Sequence, residues 1–203
     1  VLKTFAINGQ VRSLAFTKDG KFIASGDSDG HVRVKSLGGQ STDDDLFHIE
    51  QGGEIFSVDF SWPWLVAASS NKTVMVHEVG NLADLPRINH EGIISSMSYS
   101  PLGDMLAVCE NSEGGEGTLT IHHKLQKQQP FSQVLDTHSC VHGGKFLDVC
   151  FGLNPSYNLS KKTSSEKYLI ATAGEKSGII VRAAKSGDIV LMEHAEIEKG
   201  NVV

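Results

Sequence analysis

VRSLAFTKDGKFIASGDSDGHVRVKSL, residues 11–37, is the stretch that decides the fold. Val11 to Phe16 alternates apolar and polar side chains, Phe22 to Gly26 is a second apolar stretch ending in small residues, and His31 to Leu37 alternates again. Between them stand Lys18-Asp-Gly and Ser28-Asp-Gly. Both are turn signals, because Asp hydrogen-bonds its own backbone and Gly takes φ > 0 without steric cost. A period of two puts successive side chains on opposite faces of an extended chain, so three antiparallel strands are predicted.

The same pattern recurs three times. It runs IFSVDFSWPWLVAASSNKTVMVHEV from Ile55, IISSMSYSPLGDMLAVCENSEGGEGTLTIHHK from Ile93, and FLDVCFGLNP from Phe146, resuming at Tyr168 as YLIATAGEKSGIIVRAA. Short alternating pieces at Leu46 to Glu50, Pro86 to Asn89, Phe131 to Leu135 and Asp188 to His194 suit a fourth, outer strand, and Leu2 to Ile7 is the same element at the front. First-strand starts at Val11, Ile55, Ile94 and Phe146 lie 44, 39 and 52 residues apart. Four strands at a period of roughly 40 to 45 residues is the pattern of propeller blades. The expected fold is all-β: a β-propeller of four-stranded antiparallel blades, with units at 8–50, 51–89, 90–135 and 142–194. No helical periodicity of useful length competes with it.

Composition narrows the function classes. Eighteen basic against 24 acidic residues give a net charge of -6, which lacks the basic footprint of phosphate neutralisation, so no direct nucleic-acid contact is expected. Cys109, Cys140 and Cys150 form neither a disulfide framework nor a CxxC pair, which points to a reducing compartment, the cytoplasm or nucleus. No apolar run approaches the roughly 18 to 20 residues of a membrane helix, so no membrane contact is expected from this segment.

The repeats resemble those of the WD40-type (WD-repeat) propeller family over nearly the whole chain. Ala24-Ser-Gly-Asp-Ser-Asp-Gly-His-Val-Arg-Val is similar to the family's second and third strands, with Asp29 at the hairpin aspartate position and Ser25 at the serine of the family's hydrogen-bonded network. His90 and His142, each four residues before a first strand, match the histidine of that network. The tryptophan position of strand three instead holds Lys35, His77, His122 and Arg182, and Asn71, Glu116 and Ser177 replace the hairpin aspartate. The resemblance implies a ring, usually of seven blades. Four blades alone leave two open faces, to be covered by the remaining blades of the same propeller or by a partner chain.

Four inserts interrupt the repeats: Gly38 to Asp45, Asn111 to Gly117, Asp136 to Gly144 and Asn154 to Lys167. The family's strand order puts the hairpins between strands two and three, with Ser28, Ser70 and Lys176, on one rim together with the links into strand one, near Arg12 and His138. These are the partner-binding candidates, because loops on a rigid scaffold carry recognition. Trp62 and Trp64 flank a turn in the second unit and serve either as interface anchors or as packing beneath a neighbouring blade. The Ser/Lys-rich insert 154–167 is either a phosphoacceptor loop, through Ser160, Thr163, Ser164 or Ser165, or a solvated connection. His138, Cys140 and His142 alternate, but no fourth ligand is visible, so no metal is expected. Nucleophile elbow, P-loop, dinucleotide turn and HExxH are all lacking, so neither catalysis nor a cofactor is expected. The resemblance implies a non-catalytic protein-protein interaction scaffold within a multiprotein complex. Its alternatives are a guanine-nucleotide exchange factor for a small GTPase in secretory traffic, or a ribosome-assembly scaffold.

Overall fold

The structure, a computed structural model, describes residues 4–38, 46–81, 87–123, 144–155, 167–176 and 178–184, together with the strand backbone at 133–138 and 189–193. Among these residues every regular element is a strand. The first sheet contains β1 (Val11–Phe16), β2 (Phe22–Asp27), β3 (His31–Ser36) and β4 (Phe47–Glu50). The second contains β5 (Ile55–Ser61), β6 (Trp64–Ser69), β7 (Thr73–Glu78) and β8 (Arg87–Asn89). The third is built from β9 (Ile93–Tyr99), β10 (Met105–Asn111), β11 (Gly117–His123) and β12 (Gln133–His138). The fourth is built from β13 (Phe146–Leu153), β14 (Tyr168–Gly174), β15 (Gly178–Ala183) and β16 (Ile189–Glu193). Each sheet is an antiparallel meander in sequence order, so each is one blade.

Two boundaries differ from the sequence reading. Thr4–Ile7, expected as an outer strand, is not a strand. Strand β12 occupies Gln133–His138, three residues beyond the expected Leu135, with a register shift between Ile121 and His122. His138 consequently ends a strand, paired with Leu119, and does not sit in the following link.

Strand register makes the repeats superimposable. Ile23 pairs with Lys35, Leu65 with His77, Leu106 with His122 and Ile170 with Arg182, so the four residues at the tryptophan position are equivalent. All four are buried. Around them, the second and third sheets each bury one set of side chains against the preceding blade and the alternate set against the next, as a period of two requires. Ala24, Val32, Val34 and Phe47 of the first blade pack on Ile55, Val58, Phe60 and Leu65 of the second. Val66, Ala68, Val74 and Val76 of the second pack on Ile94, Met97, Tyr99 and Leu106 of the third. Ala107, Cys109, Leu119 and Ile121 of the third pack on Phe146, Val149, Tyr168 and Ile170 of the fourth. In each interface the second and third strands of one blade meet the first and second strands of the next.

A polar ladder runs through the first strands of the blades. Ser13 Oγ accepts from Val58 N–H (3.1 Å), Ser57 Oγ from Met97 N–H (3.2 Å), and Ser96 Oγ from Val149 N–H (3.4 Å). Each serine accepts from a backbone donor of the next blade, and at Val149 Asp148 Oδ1 shares that donor at 2.9 Å. Two further rungs are alike: Asp59 Oδ2 accepts from Tyr99 N–H at 2.6 Å and Ser98 Oγ from Phe151 N–H at 3.3 Å. Ser57→Ala removes the partner of the Met97 amide, and a loss of about 1 to 2 kcal/mol is expected for a buried donor left unpaired. Urea unfolding reads this as a lower midpoint at unchanged slope; an unmoved midpoint would contradict the ladder.

Candidate interaction surface

The rim formed by the β2–β3 and β6–β7 hairpins and the links into β1 and β5 is tied down by a repeated pair of bonds. Ser28 N–H donates to the Gln10 carbonyl at 2.9 Å while Gln10 N–H donates to Ser28 Oγ at 3.1 Å. One blade on, Ser70 N–H donates to the Glu54 carbonyl at 2.8 Å and Glu54 N–H to Ser70 Oγ at 3.0 Å. In the fourth blade, Glu175 N–H donates to the Lys145 carbonyl at 2.9 Å, which places Lys176 on the same rim. The two serines therefore fix the loops a partner would meet. Gly30 has φ +88°, and a Cβ there would stand 2.7 Å from the Gly53 carbonyl oxygen, so the first two rims touch through glycine.

On this rim Arg12 forms an ion pair with Glu54. Together with Phe56, Ile93, Ile94 and Ser95 they line an open cleft of about 350 Å³. It combines a half-exposed isoleucine, a phenylalanine and an arginine, chemistry that recurs at interface anchors. Of these residues only Arg12 was legible beforehand; Phe56 and Ile93 lie on the polar phase of the strand alternation, and a large apolar residue in that phase is the signal that marks them. A neighbouring cleft of about 430 Å³ places Lys72 opposite Glu91, Glu110 and Glu113.

Trp62 and Trp64 part company. Trp64 is buried in β6 within the core between the second and third blades. Trp62 sits in the β5–β6 turn, on the opposite rim, with its ring stacked on Phe22 of the preceding blade at 4.5 Å and half of its surface open. On that same rim Asp104 clamps the third blade to the fourth. It accepts from Ser100 Oγ (2.7 Å), Tyr168 Oη (2.6 Å) and Lys167 Nζ (2.9 Å). Burial opposes its ionisation, but those three donors hold its carboxyl below the usual range.

The residues placed in the family network are arranged differently here. Ser25 is buried in β2 across from Arg33, and Asp29 is exposed, accepting from Ser28 Oγ at 3.1 Å. The hairpin is organised instead by Asp27, which sequence reasoning passed over. Its carboxylate accepts from Asp29 N–H (3.0 Å), His31 N–H (2.9 Å) and the Arg33 guanidinium. Burial works against the charge on Asp27, yet these donors keep its pKa below the ordinary value. The buried His90 turns Nδ1 toward Glu110 Oε2 at 3.3 Å and packs edge-on against His122 at 5.5 Å between ring centres. The His90 hydrogen bond lowers the Glu110 pKa despite burial, helped by Gly92 N–H. Cys140, His142 and the insert at 156–166 fall outside the described residues, as does the side chain of His138.

Residues 1–34 match the family model WD40, described as WD domain, G-beta repeat. No curated protein matches the chain. Among solved structures, the computationally designed Ika4 protein is similar at TM-score 0.66 and 16% identity, over 90% of this chain and 97% of that one. In all, 1299 solved chains match, a breadth that speaks for the fold and assigns no single activity. Propellers of the WD40 type are in general non-catalytic and bind other proteins. Residues 1–34 are thus similar to a WD40 repeat, and the described strands form four consecutive blades of a β-propeller fold.

Proposed function

We propose that the chain is a non-catalytic interaction scaffold which receives a short segment of a partner protein in the rim cleft of Arg12, Glu54, Phe56 and Ile93. The observation that carries this reading is the cleft itself: apolar side chains stand open beside a charged pair, at strand starts next to loops that paired backbone bonds tie down. Rigid loops lose little conformational entropy on binding, so contacts made there convert into affinity. The segment that fits presents one apolar side chain to Phe56 and Ile93, flanked by polar groups for Arg12 and Glu54. The proposed place of action is the cytoplasm or nucleus, the reducing compartments that three scattered cysteines suit.

Selection from a displayed random-peptide library tests it. Peptides enriched on the unchanged chain should lose at least tenfold in affinity on Ile93→Asp, a substitution at an exposed position that leaves the thermal transition in place. Enrichment of the same peptides on Ile93→Asp, or of none on either protein, would refute the cleft as the binding surface.

A further inference from the structure

The outer strands of the first blade bring two imidazoles edge to edge. His48 Nε2 on β4 stands 3.2 Å from His31 Nδ1 on β3, with ring centres 5.2 Å apart. In the ladder His31 pairs with Glu50 and Arg33 with His48, so strand alternation puts all four on one face. That face is opposite the one on which Val32, Val34 and Phe47 meet the second blade. Glu50 Oε1 lies 3.8 Å from His31 Nδ1, on a side chain that is 76% exposed. The two histidines are 17 residues apart in the chain and meet only through the β3–β4 pairing.

This part of the blade lies outside the blade interfaces. In each interface the receiving blade uses its first and second strands, whereas the histidine pair stands on the third and fourth. In the second blade the equivalent residues are Thr73, Met75, Arg87 and Asn89, by the same register. They are half-buried or exposed even though the first blade packs against that side. The pair is therefore reachable from solvent whichever blade precedes the first.

We propose that His31, His48 and Glu50 form a binding site for a zinc ion on the outer edge of the first blade. Two nitrogens held about 2.0 to 2.1 Å from one tetrahedral ion stand roughly 3.3 Å apart, close to the observed 3.2 Å. Two imidazoles and a carboxylate are a ligand set that zinc accepts, with water in the fourth position. Among the described residues no group of three His, Cys, Asp or Glu already stands in place to hold a metal, so the exposed Glu50 carboxylate is the group that swings in. As the pair stands, one ring donates to the other, which holds both imidazoles in position. Ligation needs a lone pair on each facing nitrogen, so the donating ring takes the tautomer with its proton on the nitrogen that faces away. Arg33, on the same face, is bound by the Asp27 carboxylate, which offsets its charge beside the cation. The ion ties the four-residue β4 to β3. The site stands apart from the rim cleft.

Calorimetric titration of the whole reduced chain with zinc chloride tests it. Uptake of one ion at this site is expected, with affinity more than about tenfold lower in His31→Gln and in His48→Gln, and a smaller loss in Glu50→Gln. Without zinc the thermal transition of His48→Gln should match that of the unchanged chain; with zinc only the unchanged chain should gain stability. Ring-proton NMR of the unchanged chain needs no variant, and zinc should shift the His31 and His48 signals ahead of all others. The proposal is overturned by no uptake, by uptake indifferent to both histidine substitutions, or by ring shifts confined to other histidines. Uptake lost in Cys140→Ser or His142→Gln but kept in His48→Gln would place the ion elsewhere and overturn it too.

Discussion

Between pH 6.5 and pH 4 the folded chain is expected to lose about 3 kcal/mol of stability for each of two histidines. His77 and His122 are buried, and burial pushes each pKa from 6.5 down to about 4. For His122 the nearby His90 and His123 add to that effect, while Glu110 opposes it. The unfolded chain takes up a proton on each imidazole near pH 6.5, whereas the folded chain resists until about pH 4. Over that window the unfolded state binds more protons, so stability is complete above pH 6.5 and falls as the solution is acidified.

Two such groups together approach the total stability of an ordinary domain, about 5 to 15 kcal/mol. Asp59 works the other way, because burial raises its pKa and its folded form gains protons sooner. Asp27, Asp104 and Glu110, whose pKa values are lowered, add their losses at the acid end. Denaturant midpoints from pH 7.5 to pH 5 measure the slope. His122→Leu should flatten it by about 1.4 kcal/mol per pH unit. It should also raise stability at pH 7.5 by about 1 to 3 kcal/mol, because neither ring nitrogen of His122 has a partner. An unchanged slope in both His77→Leu and His122→Leu would refute the assignment.

Asp27→Ala should cost about 3 to 5 kcal/mol, the usual result of removing one partner from a buried ion pair. The substitution takes the carboxylate from Arg33 and two amide donors of the β2–β3 hairpin at once. Asp27→Asn keeps one acceptor oxygen and should lose roughly half as much. Asp29→Ala removes one exposed contact with Ser28 and should stay within about 0.5 kcal/mol. Thermal unfolding of the three variants ranks the two aspartates. Equal losses at 27 and 29 would return the role to the residue that the family resemblance favours.

The difference between Asp27 and Asp29 shows where sequence reading runs out. Strand periods and turn residues are local, and Lys18-Asp-Gly and Ser28-Asp-Gly punctuate the first blade where the structure turns. Which of two aspartates two positions apart faces inward depends on the hairpin's register and on Arg33 across it, and neither is visible in a motif. Ser13, Ser57 and Ser96 were readable in principle, since each stands two or three residues into its first strand, but their bonds cross between blades. The tryptophan positions were found by alignment of the repeats. That Lys35, His77, His122 and Arg182 would all be buried followed only from blades closing over them. The rim cleft escaped for a related reason: Phe56 and Ile93 come from neighbouring blades, and their meeting is set by the stacking.

Native-state hydrogen exchange at the Val58, Met97 and Val149 amides tests the blade stack most directly. Val58 and Met97 donate to a serine of the preceding blade, and Val149 shares its N–H between Ser96 of that blade and Asp148 Oδ1 beside it. The stack predicts strong protection at all three, lost only with global unfolding. Exchange at the rate of the Thr4–Asn8 amides, which lie in no strand, would show sheets that do not stack as blades and would contradict the account.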